Sequence, residues 1–237
     1  PEDKHHKINT LYDQVLEQEP ENYRALLGQA LNHYQSGNKK QAEKLFDALA
    51  HDIDKDSKLL MTAVDTYLTA EKKSEAVIVF SQLLNAAPDN STLSYFTAVA
   101  YQNIKEFDKA VAHYQEVRPE HRQYTKAGLN IAMIYKELGK IRIAINFLEK
   151  RLKAAPRDEE MVTYLAMFYE QEKQYLKGAE LLEKALSTNP ESRTLLFRYG
   201  AILDKAGQKE KALDAMRAIL ELDPNDASAL NYLGYSY

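Results

Sequence analysis

The chain has no cysteine, so it can form neither a disulfide framework nor a thiolate zinc site, and it carries no thiolate nucleophile. Without that signal the redox compartment stays open between the cytosol and a bacterial periplasm or envelope. Charge of one sign does not cluster: 35 acidic and 31 basic residues leave a formal net charge of −4 with no block of like charges. That balance excludes an electrostatic nucleic-acid binder, which needs a basic stripe against the phosphates. No apolar run reaches the ~18 residues that a membrane-crossing helix requires, so these residues are not expected to insert into a bilayer. The amino end, PEDKHHKINT, has no initiating Met, basic n-region or apolar h-region, and targeting signals are expected outside these residues. Glycine (8) and proline (7) are scarce, and runs of alternating β-branched residues are missing. The nearest candidate strand, AVIVFSQLL, continues the helical stripe of EKKSEAVIVFSQLLNAA.

What is present is a globular balance, 45% hydrophobic and 28% charged, dominated by Leu, Ala, Lys, Glu and Gln. These residues favour helix in nearly every window, and the fold class is all-α. The organisation is a repeat. Pro20, Pro88, Pro156, Pro190 and Pro224 are separated by 68, 68, 34 and 34 residues. Stretches such as FDKAVAHYQEV, KGAELLEKAL and EKALDAMRAIL share one rhythm of small and then large apolar residues. Starting units at Tyr23, Ser57, Ser91, Thr125, Glu159, Arg193 and Ala227 aligns the chain without insertions.

In that frame position 8 holds Ala30, Val64, Ala98, Ala132, Ala166, Gly200 and Gly234, and position 11 holds His33, Tyr67, Tyr101, Tyr135, Tyr169, Leu203 and Tyr237. Position 20 is Ala42, Ala76, Ala110, Ala144, Gly178 and Ala212. Position 24 is Phe46, Phe80, Tyr114, Leu148, Leu182 and Met216. Small residues let two helices approach and large ones fill the space beside them. Each unit therefore reads as two antiparallel helices, with the turn near Gly37, Gly139 or Gly207 where glycine is present.

The pattern of small residue, Tyr, Ala, aromatic and Pro at this period resembles the tetratricopeptide repeat, over essentially the whole chain. The resemblance implies an α-solenoid, a right-handed superhelix of stacked antiparallel helix pairs. Residues 1–22 read as the second helix of a partial repeat. Full repeats follow at 23–56, 57–90, 91–124, 125–158, 159–192 and 193–226, and 227–237 is the first helix of another partial repeat. The family's early Trp is replaced throughout, by Leu26, Leu60, Ser94, Gly128, Val162, Leu196 and Leu230, and Gln29 and Thr97 stand where the pattern wants Leu. The third repeat carries Pro119 instead of a closing proline, which predicts that its second helix stops near Val117 or Arg118 and that the stack bends or softens there.

The resemblance also implies that the first helices line a concave face. At 3.6 residues per turn, positions 4, 7, 8 and 11 fall on the packing side, and positions 2, 5, 6, 9, 12 and 13 fall opposite. The opposite side is rich in aromatic, Met and polar residues. It comprises Met61 and Asp65; Tyr95, Phe96 and Val99; Asn130 and Met133; Tyr164 and Met167; and Phe197 and Arg198. Such residues suit a partner peptide or helix, and they are the expected partner-binding site of a protein-interaction scaffold. The alternative is that some of them only pack on a neighbouring helix. Two known uses of the family do not fit. A clamp for acidic chaperone tails would need Lys and Arg where Glu160 and Tyr164 stand, and the asparagine ladder of sugar-transferase repeats is reduced to Asn130.

Nothing in the sequence supports catalysis, a cofactor or a metal. Asp52, Asp54 and Asp56 open like a calcium loop, but Ser57 and Ala63 occupy the places of its glycine and bidentate Glu, leaving an acidic turn with an N-cap. His5, His6, His113 and His121 have no second ligand at metal spacing. An alternative reading makes the chain the recruiting arm of a larger enzyme, secretion or envelope assembly, and ALNYLGYSY is loosely similar to bacterial members of the family. Leu230 and Tyr237 are expected to pack around Met216 and Ile219. Neither end carries the polar cap of a terminal repeat, which predicts an excised middle of a longer array and end-to-end self-association.

Overall fold

The computed structural model describes residues 2–236, and among them no strand occurs. Among the described residues fourteen α-helices follow one another: α1 (Glu2–Gln18), α2 (Tyr23–Gln35), α3 (Lys39–Asp52), α4 (Ser57–Ala63), α5 (Lys73–Ala86), α6 (Ser91–Asn103) and α7 (Phe107–Gln115). Then come α8 (Tyr124–Glu137), α9 (Ile141–Ala154), α10 (Glu159–Gln171), α11 (Tyr175–Leu186), α12 (Arg193–Lys205), α13 (Lys209–Leu222) and α14 (Ala227–Ser236). A π-helical stretch, Val64–Thr69, extends α4 without a break. Sequence periodicity does not mark that wider turn.

Local chemistry sets where the helices start and stop. The residue just before each first helix is a capping type in all but one case. Side chains of Asn22, Asp56, Asn90, Asp158, Ser192 and Asp226 accept from amides in the first turns of α2, α4, α6, α10, α12 and α14, at 2.8–3.3 Å. Each satisfies a donor that the helix cannot. The exception is Gln123, just before α8. The first helices of the six full repeats end alike. Gly37, Glu71, Lys105, Gly139, Lys173 and Gly207, at position 15 of each full repeat, have φ between 54° and 81°. The next amide reaches back to the position-11 carbonyl, as in Asn38 to His33 (3.0 Å) and Gln174 to Tyr169 (2.7 Å). This left-handed stop satisfies the last carbonyls and reverses the chain.

The chain divides into two compact units, one up to Ala127 and one from Gly128. In the first, Leu27, Phe46, Leu59, Phe80, Leu83, Leu93 and Tyr114 are fully buried. In the second the same is true of Ile131, Leu148, Phe168, Leu182, Leu195 and Met216. First helices pack between two second helices: α6 against α5 and α7, α10 against α9 and α11, α12 against α11 and α13. The buried stripe is consequently wider than positions 4, 7, 8 and 11. Position 3 is buried in every first helix, at Ala25, Leu59, Leu93, Ala127, Met161, Leu195 and Ala229. Glycine eases two close approaches: a Cβ on Gly178 would displace the end of the Ile202 side chain, and one on Gly200 the end of Met216.

Two departures from the repeat pattern gain a physical reason. Gln29 donates to Asp13 (2.6 Å), and Thr97, fully buried, donates to the Phe80 carbonyl (3.1 Å), so both polar residues are satisfied by the preceding second helix. Near Pro119 the helix α7 ends at Gln115, short of Val117 and Arg118. Val117 stays buried, the Arg118 amide donates to Ser91 Oγ (3.2 Å), and its guanidinium donates to the Asp89 carbonyl, which ties this segment to the start of α6. In α14 the expected contact of Leu230 is corrected. Leu230 is 47% exposed, and Ala229, Tyr232 and Leu233 are the residues that join Leu196, Met216 and Ile219. Leu230 sits at position 4, the side that faces a repeat's own second helix, whereas α14 packs on α13 of the preceding repeat. Tyr237 lies outside the described residues.

Candidate partner-binding face

The side of each first helix away from its packing stripe is held in place by the caps and the left-handed stops at its two ends. In the unit up to Ala127, Met61 is 56% exposed and Asp65 is exposed on the π-helical stretch. Tyr95 and Phe96 are half-buried. Phe96 stacks on Phe80 with ring centroids 5.8 Å apart, Tyr95 meets Phe96 edge-on at 5.3 Å, and Tyr95 leans on Tyr114 at 5.6 Å. These two aromatic residues therefore serve the core with one side of each ring and offer the other. Val99 is half-buried one turn further along. On α2 the same face is closed: Leu27, Gly28 and Leu31 are buried, and the Tyr12 ring of α1 occupies the space over Gly28.

In the unit from Gly128, Met133 is 37% exposed and Asn130 is half-buried, while Leu129, on the same face, is buried. Tyr164, Met167 and Phe197 are half-buried, with Phe197 packed on the cluster of Leu196, Met216, Ile219 and Ala229, and Arg198 is exposed. Phe197 and Arg198 line a cleft of about 550 Å³ with Arg193, Ile219 and Asp226. The Arg193 guanidinium donates to Asp223 (2.6 Å) and Asp226 (3.4 Å), which fixes one wall of that cleft. At the rim, Lys205 pairs with Glu170, and this hydrogen bond holds the ammonium above its ordinary pKa. The face thus combines adaptable apolar surface with fixed charges at its border, suited to a segment with both apolar and polar side chains.

The acidic turn behaves as a structural element. Asp52 lies 3.7 Å from Lys55, Asp54 accepts from Asn90 (2.6 Å), and Asp56 caps α4 and accepts the Tyr23 hydroxyl. Three carboxylates committed to three separate partners do not converge on one point, and no metal-binding group of His, Cys, Asp or Glu occurs among the described residues. His33 and His121 are both shifted downward, first by burial, which favours neutral rings. Among the described residues no helix is long and apolar enough to cross a membrane.

Tetratricopeptide repeat models match residues 4–63 and 169–233, 61–125 and 126–158. The chain belongs to the tetratricopeptide repeat family. Solved structures of similar fold include MamA proteins and a TPR protein. The crystal structure of MamA is 17% identical, covers 72% of this chain and 93% of its own, and has a TM-score of 0.54. YrrB, described as a TPR protein with an unusual peptide-binding site, is 13% identical over 79% of this chain and 98% of its own, with a TM-score of 0.53. A MamA segment from Desulfovibrio magneticus RS-1 is 21% identical over 72% of this chain and 96% of its own, with a TM-score of 0.52. At these identities the likeness concerns the tetratricopeptide fold.

Proposed function

We propose that the chain is a non-catalytic protein-interaction scaffold, and that each of its two units holds a partner peptide or helix against the face of the first helices opposite the core. The reading rests on one observation: that face keeps apolar side chains in contact with solvent where an isolated helix pair would place polar ones. Met61 and Met133 are the most open of them, and Tyr95, Phe96, Val99, Tyr164, Met167 and Phe197 offer part of their surface. Asp65, Asn130 and Arg198 supply the polar contacts that would set register. The stopped helices and capped turns make the face rigid, so little ordering entropy opposes capture of a segment. YrrB, a TPR protein of similar fold, carries a peptide-binding site.

The test is a selection of peptides from a random display library on the immobilised chain, followed by affinity measurements on variants. Met61→Glu, Met133→Glu and Arg198→Glu change exposed side chains and should leave folding intact. Selected peptides should lose about tenfold or more in affinity to at least one of them. Peptides that bind all three variants as tightly as the parent chain would overturn the assignment.

A further inference from the structure

A second surface, on the opposite side of the unit from Gly128, has the attributes of a docking site. A cleft of about 580 Å³ opens between the second helices α9 and α11, and a smaller one of about 240 Å³ continues it toward Asn189 and Leu195. Its floor is apolar, formed by Leu152, Val162 and Leu165 with Leu181 and Ala185 at the α11 wall. One lining residue departs from the repeat register. Position 27 is Leu49, Leu83, Val117, Arg151 and Ile219 in the other full repeats, and every one of these is buried. In the fifth repeat it is Ala185, whose short side chain leaves space beside Val162 and Leu165 of α10.

The rim carries one dominant charge. Lys153, Arg157 and Lys184 are exposed around the opening, and none of the three is ion-paired among the described residues. The two carboxylates beside the cleft are already engaged. Glu149 accepts the Tyr169 hydroxyl, and Glu159 accepts from the Asn189 amide and from the Ser192 hydroxyl (2.8 Å). An apolar trough with three available cations is complementary to a segment that is apolar on one stripe and acidic on its flanks.

We propose that the α9–α11 cleft docks an acidic amphipathic helix of a protein partner, with an apolar side chain seated beside Ala185 and carboxylates facing Lys153, Arg157 and Lys184. The site is separate from the first-helix face and does not depend on it.

The probe is a fluorescein-labelled helical peptide a few turns long with Leu at i, i+3, i+4 and i+7 and Glu elsewhere, read by fluorescence anisotropy against a twin with Lys for Glu. The full chain should bind the Glu peptide in preference to the Lys peptide, and more weakly as salt rises. Ala185→Leu supplies the side chain that the other repeats carry and should weaken binding by about tenfold or more while leaving Tm unchanged or raised. The triple charge reversal Lys153→Glu, Arg157→Glu and Lys184→Glu touches only exposed side chains. It keeps the test decisive if Ala185→Leu disturbs packing, and it should transfer the preference to the Lys peptide. Met133→Glu, on the other face, should have no effect. Failure of the Glu peptide to bind would overturn the proposal, as would affinity unmoved by either cleft variant or lost in Met133→Glu.

Discussion

Arg151 of α9 occupies the space that a side chain on Gly128 of α8 would need: its Nε and Cδ lie 2.7 and 2.8 Å from where a Cβ would stand. Position 4, an aliphatic residue in every other repeat except the third, where it is Ser94, is here filled from the facing helix, and Arg151 is 8% exposed with its guanidinium 5.6 Å from the Phe147 ring. Alanine is the better helix former by about 1 kcal/mol, but overpacking costs about 1–3 kcal/mol. Gly128→Ala should therefore lose stability, on the order of 1 kcal/mol net. In an Arg151→Ala background the same change should become stabilising. Urea denaturation of the four proteins as a double-mutant cycle measures this, and a coupling near zero would show that Arg151 simply moves aside.

Position 15 is left-handed in all six full repeats, yet only Gly37, Gly139 and Gly207 are glycine. A non-glycine residue there is strained, while glycine gives back part of the gain through unfolded-chain entropy. Glu71→Gly, Lys105→Gly and Lys173→Gly should each stabilise by about 0.5–1 kcal/mol. The converse, Gly139→Ala, should destabilise by about 1 kcal/mol even though open space surrounds the site. Shifted urea midpoints with unchanged m-values would carry the result.

The Tyr23 hydroxyl donates to the Asp56 carboxylate, which ties the start of α2 to the cap of α4. Tyr23 is pushed up to about 12, chiefly by that bond, and Asp56 is held below its ordinary value by the same bond and by the Lys58 amide. For Tyr23 the contribution is complete below the phenol's ordinary pKa of ~10 and disappears as pH rises toward about 12. For Asp56 it is complete above the ordinary carboxylate range and disappears as pH falls through the lowered value. Tyr23→Phe should thus lower Tm most at neutral pH, with the gap narrowing at both extremes. A gap constant with pH would assign the loss to packing instead.

Phe96 and Met61 share the candidate face but not a role. Phe96 stacks on Phe80, so Phe96→Ala should cost about 2 kcal/mol or more. Met61 is mostly exposed, and Met61→Ala should fall within about 0.5 kcal/mol of the parent. Thermal melts of both variants decide the matter. Loss of partner binding in a Phe96 variant must accordingly be corrected for folding, whereas a Met61 variant reports on the face directly.

Much of this was legible in the sequence because a repeat states the same packing rule several times. Positions 8, 20 and 24 carry small and large residues in a fixed order, and the helix pairs follow from them. What escaped is what depends on neighbouring repeats. Leu59, Leu93, Met161 and Leu195 are buried although they lie off the expected packing stripe, so a single-stripe reading of the first helix misses them. Leu27 and Leu129 lie on the expected open face yet are buried, and no local pattern distinguishes them from Tyr95 or Phe197. The left-handed residues Glu71, Lys105 and Lys173 carry no glycine signature and are recognised only through register. Ala185 stands out in the sequence as the one small residue at its position, but the space beside it exists only in the folded chain.

The capping residues carry a consequence for anyone who would move these repeats between proteins. Asn22, Asp56, Asn90, Asp158, Ser192 and Asp226 close one repeat's frame but serve the first helix of the next. A cassette cut at Tyr23 or Glu159 would arrive with bare amides, at a cost of about 0.5–2 kcal/mol. Cut one residue earlier, at Asn22 or Asp158, it brings its own cap. The transplantable module is the repeat shifted by a single residue.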